Sequence, residues 1–279
     1  MATATASRTP HPLVRKMHWA RSRLRPPARP FCSRARRRRN SGNSSVDSLH
    51  LRRAISSATE IVEFDDASGK IPVRGYLHVP GNPSGDGLIL THGAGSNCGS
   101  PLLVALATSF SESGITVLRC DLPFRQQRPH GPPPRGSAER DQQGMRSAIE
   151  VMRKRVTDRV FLGGHSYGGR QASMLAASAP GLADALLLLS YPLHPPKRPA
   201  DLRTAHFASL RTATLFVHGA RDGFGRIDEI AAALKLIPAR TQLLPIEGAG
   251  HELMTPRNRA SLPQLVTDAF NKFCHGAAD

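Results

Sequence analysis

From residue 60 onward, short apolar runs that suit buried strands alternate with segments in which apolar residues recur at helical spacing. The pattern predicts strands at 60–64, 71–79, 87–91, 115–120, 160–163, 184–190, 214–218 and 242–245. It predicts helices at 101–113, 138–155, 226–236 and 260–273, and one more directly after Ser166. The first two strands are expected to pair in antiparallel fashion at one sheet edge. Because strands that alternate with helices cross over between neighbours, the remainder should form a largely parallel sheet with helices on both faces.

Residues 1–59 differ in composition from residues 60–279, which are expected to form the α/β domain. The first segment contains 14 Lys and Arg against the single acid Asp47, a net charge of +13, whereas the remainder contains 24 against 20, a net charge of +4. It lacks apolar periodicity and is expected to be a disordered basic tail. Its composition suits an organellar transit peptide or a mis-assigned start. The arginines at 36–39 also suit a nucleic-acid patch, so nucleic acid is expected as a partner only through this tail.

Cysteine usage and apolar run length bear on the compartment. Cys32, Cys98, Cys120 and Cys274 lie far apart and form no C-x-x-C pair, so neither a disulfide framework nor a metal site is predicted. This favours a reducing compartment, the cytoplasm, or an organelle if the tail is a transit peptide. The longest apolar run, around residues 185–189, is far shorter than the roughly 20 residues that cross a bilayer, so no membrane association is expected. The sequence leaves the oligomeric state open.

The segment from Gly164 to Gly168 reads Gly-His-Ser-Tyr-Gly and fits the pattern G-x-S-x-G between a predicted strand and a predicted helix. In that context the serine, Ser166, lies on a strained turn that presents its Oγ above the sheet, and small neighbours let adjacent chains approach. The N–H of Tyr167, at the start of the helix, is then one donor to an oxyanion. A bare match of this length is also compatible with a tight turn or a phosphate-binding loop.

A serine nucleophile needs an imidazole to take its proton and a carboxylate to orient that imidazole. Asp222 follows the strand at 214–218 through a short loop, 56 positions after Ser166. His251 follows the strand at 242–245 in a glycine-rich loop, 29 positions further on. Taken singly, Asp222 could cap a helix and His251 could be a surface residue. Taken together, at the carboxyl ends of strands and in this order, they predict a Ser-His-Asp triad.

The loop after the strand at 87–91 reads His92-Gly93-Ala94-Gly95 and lies where a second oxyanion donor is expected. The N–H of Ala94 is the first candidate and that of Gly95 the second. Gly93 and Gly95 are expected to let the loop adopt positive φ. The alternative is a plain turn.

Two longer loops are candidates for the substrate pocket. Residues 123–136 carry five prolines and are expected to form an irregular loop at the carboxyl edge of the sheet, where ligands bind. Arg125 within it could pair with an anionic substrate, or simply be solvated. Residues 191–212 leave room for a short helix but not for a large lid. His194 in that segment could contact substrate or be structural.

These segments together resemble the α/β-hydrolase superfamily from about Glu60 to Cys274. Residues 90–95, 161–170 and 190–194 look more narrowly like dienelactone-hydrolase-like proteins, the group that includes the testis-expressed hydrolase-like proteins and a subunit of the NSL histone-acetyltransferase complex. The resemblance implies an α/β-hydrolase fold with little or no lid. Dienelactone hydrolases carry Cys at the position of Ser166, so their substrate is not transferred to this chain.

The expected function is hydrolysis of a small carboxylic ester or related acyl bond through an acyl-enzyme, with no metal and no organic cofactor. Because some members of the resembling group serve as scaffolds, the alternative is a non-catalytic interaction protein on the same fold.

Overall fold

A computed structural model describes residues 58–276, and within them eight strands form one sheet in the order β1-β2-β4-β3-β5-β6-β7-β8. The strands are β1 Glu60–Asp66, β2 Val73–Val79, β3 Gly87–Thr91, β4 Thr116–Cys120, β5 Val160–His165, β6 Leu186–Leu189, β7 Thr214–Gly219 and β8 Thr241–Ile246. The helices are α1 Pro101–Glu112, α2 Pro123–Gln127, α3 Ser137–Arg153, α4 Tyr167–Ser178, α5 Ile227–Leu234 and α6 Leu262–His275. The predictions for the basic tail, including Cys32 and the arginines at 36–39, fall on residues outside this range, apart from residues 58 and 59.

Strand directions follow the sequence pattern. β2 pairs antiparallel with β1 on one side and with β4 on the other, and every pair from β4 to β8 is parallel. The predicted antiparallel pair at the sheet edge and the predicted parallel sheet are both confirmed. In such a sheet the carboxyl ends of β3, β5, β7 and β8 meet at one edge, and the loops that follow them lie close together.

The core has two layers because the central strands are buried on both faces. On β3, Leu88 and Leu90 pack with Phe270 of α6, whereas Ile89 packs on the opposite face with Met145 and helix α3. Side chains alternate between faces along a strand, so a strand covered on both sides must be apolar at every position. This explains why the strands were readable as continuous apolar runs.

The segment 123–136 corrects one expectation, because it begins with the short helix α2 rather than with irregular backbone. Pro123 occupies the first helical position, where the missing N–H costs nothing and the fixed φ suits a helix. The prolines that do prevent regular structure come later, between α2 and α3. Residues 191–212 contain one 3-10 turn, Phe207–Ser209. This agrees with the prediction of a short helix and no large lid in this segment.

Among residues 58–276, no helix combines the length and the apolar character that crossing a membrane demands.

Candidate active site

Ser166 lies at the junction of β5 and α4 with φ 51° and ψ −111°, a backbone conformation that is strained for a residue with a side chain. The glycines on either side of it, Gly164 and Gly168, permit this turn because they let the end of β3 approach their backbone closely. A Cβ on Gly164 would lie 2.5 Å from Oγ1 of Thr91, and a Cβ on Gly168 would lie 2.7 Å from the carbonyl oxygen of His92. Any larger residue at either position would collide with the neighbouring strand end, so the strand-turn-helix geometry expected from the motif is present.

Three side chains that are far apart in sequence form one hydrogen-bonded row at the carboxyl edge. Nε2 of His251 lies 2.8 Å from Oγ of Ser166, and Nδ1 of His251 lies 2.8 Å from Oδ2 of Asp222. Because an ionised carboxylate only accepts, Nδ1 carries the proton that is donated to Asp222. Nε2 is then free to accept the proton of the Ser166 hydroxyl.

Asp222 is buried and kept ionised by its hydrogen bonds. Its Oδ1 accepts from the backbone N–H of Phe224 at 2.8 Å, and its Oδ2 accepts from His251. Burial by itself would raise the pKa of Asp222, but the hydrogen bond and charge of His251 outweigh it, and the pKa lies below its ordinary value. The carboxylate therefore provides a fixed negative charge beside the imidazole.

Two contacts that sequence reasoning missed hold His251 in place. The ring of Phe224 stacks on that of His251 with centroids 4.2 Å apart. Nε2 of His165 lies 2.8 Å from the carbonyl oxygen of His251, to which it donates. Burial lowers the pKa of His165, so its ring is neutral and supplies one N–H. The available signal for His165 was its place directly before Ser166 in the motif.

The loop after β3 runs beside Ser166, as expected for an oxyanion loop. A Cβ on Gly93 would lie 3.1 Å from Nδ1 of His165 and 3.5 Å from Cβ of Ser166. The expectation of positive φ at Gly93 and Gly95 is wrong, since neither residue has it. Gly93 is required for close approach instead, and Gly95 has open space where a Cβ would be.

The backbone N–H groups predicted to bind an oxyanion belong to two segments next to Ser166, the start of α4 and the loop after β3. Tyr167 is the first residue of α4, and the N–H groups of a helix's first turn have no partner within the helix. In the loop after β3, the N–H groups of Ala94 and Gly95 have no acceptor among the described residues. The structure thus brings all three predicted donors to the same strand ends, and their role stays a prediction.

Arg125 is a structural side chain in this fold, in contrast to its predicted contact with substrate. It is buried, and its guanidinium donates to four backbone carbonyls, those of Ser96, Arg128, Ala94 and Gly131, at 2.7 to 3.0 Å. Four of its five N–H groups are therefore used within the protein. Arg125 fastens the loop after β3 to the loop after α2.

His194 is likewise engaged by the protein instead of lying open to a pocket. It is buried, with Nδ1 2.9 Å from the carbonyl of Pro195 and Nε2 3.4 Å from Oε2 of Glu229. Its backbone N–H donates to the carbonyl of Phe224. The structural alternative for His194 fits these contacts better than a contact with substrate.

Asp141 on α3 is a further residue that the sequence did not reveal. Its Oδ2 accepts from the hydroxyl of Tyr167 at 2.7 Å, and its Oδ1 accepts from the backbone N–H of Phe124 at 3.0 Å. Asp141 is fully buried, and burial raises its pKa despite these hydrogen bonds. The network ties the start of α4 to α2 and α3, which fixes the residue that follows Ser166.

Within residues 58–276, no group of three or more His, Cys, Asp or Glu side chains is arranged to hold a metal ion. The arrangement that the carboxyl edge does provide consists of a hydroxyl, an imidazole and a carboxylate in a row, with backbone N–H groups nearby.

The eight-stranded sheet and the serine at its strand-to-helix turn define an α/β-hydrolase fold. The chain belongs to the alpha/beta hydrolase domain family, whose model matches residues 85–275. The predicted membership of the α/β-hydrolase superfamily is thereby confirmed, whereas the narrower likenesses to dienelactone-hydrolase-like proteins and to the testis-expressed and NSL-complex proteins stay predictions.

Solved structures of similar fold include one from Butyrivibrio proteoclasticus and one from Anabaena variabilis. Est1E from Butyrivibrio proteoclasticus is 17% identical, with a TM-score of 0.61, over 76% of this chain and 98% of its own. A dienelactone hydrolase from Anabaena variabilis is 21% identical, with a TM-score of 0.59, over 76% of this chain and 97% of its own.

A third structure is described as a serine hydrolase without a lid, from Xanthomonas campestris. It is 17% identical, with a TM-score of 0.59, over 79% of this chain and 97% of its own. At these identities the likenesses establish the fold of the chain.

Proposed function

We propose that the protein is a serine hydrolase that cleaves a carboxylic ester or a related acyl bond. The observation that carries the proposal is the continuous row from Ser166 through His251 to Asp222, with both links at 2.8 Å. An imidazole held by a buried carboxylate and in contact with a serine hydroxyl is the arrangement that activates a serine. Membership of the alpha/beta hydrolase domain family supports the same class of activity.

The reaction begins when Oγ of Ser166 attacks the acyl carbon while Nε2 of His251 takes its proton. The carbonyl oxygen becomes an oxyanion, and the backbone N–H groups of Tyr167 and of Ala94 or Gly95 stabilise it. When the bond to the leaving alcohol breaks, His251 returns the proton to that alcohol and an acyl-enzyme remains. Water then adds to the acyl carbon with His251 as base, which releases the acid and restores Ser166.

Asp222 acts through His251 and does not touch substrate. It keeps the Nδ1 proton in place, so that Nε2 faces Ser166 unprotonated, and its charge stabilises the imidazolium that forms. Phe224 packs on the ring and His165 holds the backbone carbonyl of His251, so that the imidazole stays within reach of Oγ.

The proposal is tested by comparing the wild-type protein with Ser166→Ala on a panel of small p-nitrophenyl esters. We expect loss of turnover on the order of 10⁴- to 10⁶-fold, because no other group replaces the nucleophile. Circular dichroism of both samples establishes that the variant is folded. Equal turnover by a folded, pure Ser166→Ala sample would refute the assignment, and a folded wild type inactive on every ester would favour the scaffold alternative.

A further inference from the structure

Two arginines lie on the β6 side of Ser166. Arg170 is in the first turn of α4, and its backbone N–H donates to the carbonyl of Ser166 at 2.9 Å. Arg203 is fixed against the loop after β6, where its Nη1 donates to the carbonyl of Pro192 at 3.3 Å and its own carbonyl accepts from the hydroxyl of Tyr191 at 2.6 Å. Both side chains are half-buried and both act electrostatically on Tyr191, so they belong to one cluster.

Neither arginine has a carboxylate partner among residues 58–276. No Asp or Glu forms an ion pair with Arg170 or Arg203, and Nε of Arg170 is buried without a hydrogen-bond partner. The acid nearest in sequence to Arg203, Asp201, pairs with Arg198 at 3.2 Å on the exposed surface. Burial, and then the positive charge of Arg170, lower the pKa of Arg203. Within the described residues, neither cation is therefore compensated by a carboxylate.

Neighbouring groups cannot supply the missing negative charge. Burial raises the pKa of Tyr191, so the phenol stays neutral, and its proton is already donated to the carbonyl of Arg203. Burial, followed by the charge of Arg170, lowers the pKa of His206 to about 4, so this ring is neutral at physiological pH. Its Nε2 is hydrogen-bonded to Oγ of Ser173 at 2.8 Å.

Two other arginines with buried or half-buried side chains, Arg125 and Arg159, do have compensation, which makes the contrast informative. Arg125 donates to four carbonyls, and Arg159 forms an ion pair with Asp86 at 2.7 Å. Removing a guanidinium from water costs several kcal/mol unless an anion or a set of acceptors replaces the water. Arg170, whose Nε lacks a partner one helical turn from the reactive serine, and Arg203, which has one carbonyl partner and no anion, are suited to take that anion from a ligand.

We propose that Arg170 and Arg203 bind an anionic oxygen group of the substrate, a carboxylate or a phosphate, at a point removed from the bond that Ser166 attacks. The preferred substrates would then be esters that carry a negative charge elsewhere in the molecule. The planar guanidinium groups suit such oxygens because each can donate two parallel N–H bonds. The inference deepens the proposed function and rests on it for the reaction, although the anion site can be tested without turnover.

The test compares three p-nitrophenyl esters of equal chain length whose acyl chains end in a methyl, a carboxylate or a phosphate group. Arg170→Gln should lower kcat/KM for an anionic ester by about 10- to 100-fold, chiefly through KM, because a charge-assisted hydrogen bond is lost. Turnover of the neutral ester should change by less than about threefold, since the variant leaves the reactive groups in place. Arg170→Lys should retain part of the preference, because it keeps the charge but not the paired donors.

Arg153→Gln is the matched control, because it removes one positive charge from the exposed end of α3, at the opposite edge of the sheet. It should leave the preference for an anionic ester unchanged. Loss with the carboxylate ester, the phosphate ester or both supports the site and identifies which oxygen group it takes. Absence of any anionic preference in the wild type, or equal losses on neutral and anionic esters in Arg170→Gln, would overturn it.

A binding arm separates failure of this inference from failure of the proposed function. Calorimetry on Ser166→Ala measures binding of the free acids that correspond to the carboxylate and phosphate acyl chains. Binding that Arg170→Gln abolishes supports the anion site even if no ester is hydrolysed. If neither acid binds while neutral esters are hydrolysed through Ser166, the anion site is refuted and the proposed function stands.

Discussion

The two ends of the parallel sheet differ in how completely their polar residues are hydrogen-bonded. At the amino end, where β3 and β5 begin, Asp86 accepts from the backbone N–H, Nε and Nη2 of Arg159 at 2.7 to 3.1 Å. Nη1 of Arg159 donates in turn to the carbonyl of Cys274 in α6. Both oxygens of Asp86 and three side-chain nitrogens of Arg159 are therefore hydrogen-bonded, and these bonds connect the starts of β3 and β5 to α6.

At the carboxyl end, several polar residues are hydrogen-bonded, but others are strained or lack partners. Ser166 and Ser190 both have positive φ, 51° and 47°, although neither is glycine. The hydroxyl of Ser190 and Nε of Arg170 are buried without hydrogen-bond partners in the described part of the chain. Strain and unsatisfied groups of this kind are retained where function requires them. From this comparison we expect substitutions at the amino end to affect stability and, under the proposed function, substitutions at the carboxyl end to affect turnover.

The largest expected effect is on activity, from Asp222→Asn at the carboxyl end. The amide would favour the wrong tautomer of His251, so kcat should fall about 10⁴-fold, equivalent to about 5.5 kcal/mol in the activation barrier. Ester turnover under saturating substrate measures this. We expect the melting temperature of Asp222→Asn to stay close to that of the wild type. A lower melting temperature together with an unchanged specific activity would contradict the comparison.

The next effect is a loss of stability at low pH. It arises at His78 in β2, outside the two clusters that are compared above. Nε2 of His78 accepts from Nε of Arg119 at 2.8 Å, so the ring must be neutral. Burial, and then the charge of Arg119, lower its pKa from 6.5 to about 4. The unfolded chain therefore binds a proton that the fold does not, and stability should decrease as pH falls from 6.5 towards 4, by up to about 3 kcal/mol.

Urea unfolding at pH 7 and pH 4.5 measures that loss, and His78→Gln should make the difference between the two pH values smaller. His130→Gln, at an exposed loop position, is the control and should leave the difference unchanged. If His78→Gln shows the same difference in unfolding free energy between the two pH values as the wild type, protonation of other groups causes the loss of stability.

Much of the fold was predictable because each central strand is buried on both faces and bounded by turns. The order of Ser166, Asp222 and His251 followed from their places at the carboxyl ends of these strands, and the antiparallel edge pair was predicted from two short apolar runs that precede the strand-helix alternation. The helix α2 was missed because prolines dominate its neighbourhood, although Pro123 at the first helical position is compatible with a helix.

The candidate site was predictable only where a motif fixed its members. Arg125 and Arg170 are the same residue type at the same edge of the sheet, yet one is saturated by carbonyls and the other is not. No local pattern distinguishes them, since the partners come from segments distant in sequence. The contacts of His165 and Phe224 with His251 likewise join segments that are distant in sequence, so no local pattern predicts them.

A smaller effect, on stability alone, is expected from Asp86→Asn at the amino end. The amide leaves the buried donors of Arg159 imperfectly paired, which should cost about 1–3 kcal/mol of unfolding free energy. The lower half of that range is favoured because the side chain of Arg159 is one-third exposed, at 33%. Urea unfolding measures the cost, and turnover per folded molecule should equal that of the wild type. Loss of turnover without loss of stability would contradict the comparison.

The smallest effect is expected from Gly95→Ala, in the loop beside Ser166. Its Cβ would meet no atom within 4 Å and the backbone lacks positive φ, so stability should stay within about 1 kcal/mol of the wild type and could rise. Gly93→Ala is the matched variant, because its Cβ would press on the ring of His165 at 3.1 Å. Thermal unfolding and turnover of both variants test this, and equal behaviour of the two would contradict the close approach at Gly93.

The central claim, that Ser166 is an activated nucleophile, is tested most directly by labelling with a fluorophosphonate. Such a probe forms an Oγ–P bond and releases fluoride only when the serine is activated, and peptide mass spectrometry locates the adduct. We predict rapid labelling of Ser166 in the wild type and loss of labelling in His251→Ala. A folded wild-type sample that stays unlabelled at Ser166, or is labelled equally well without His251, would contradict the account.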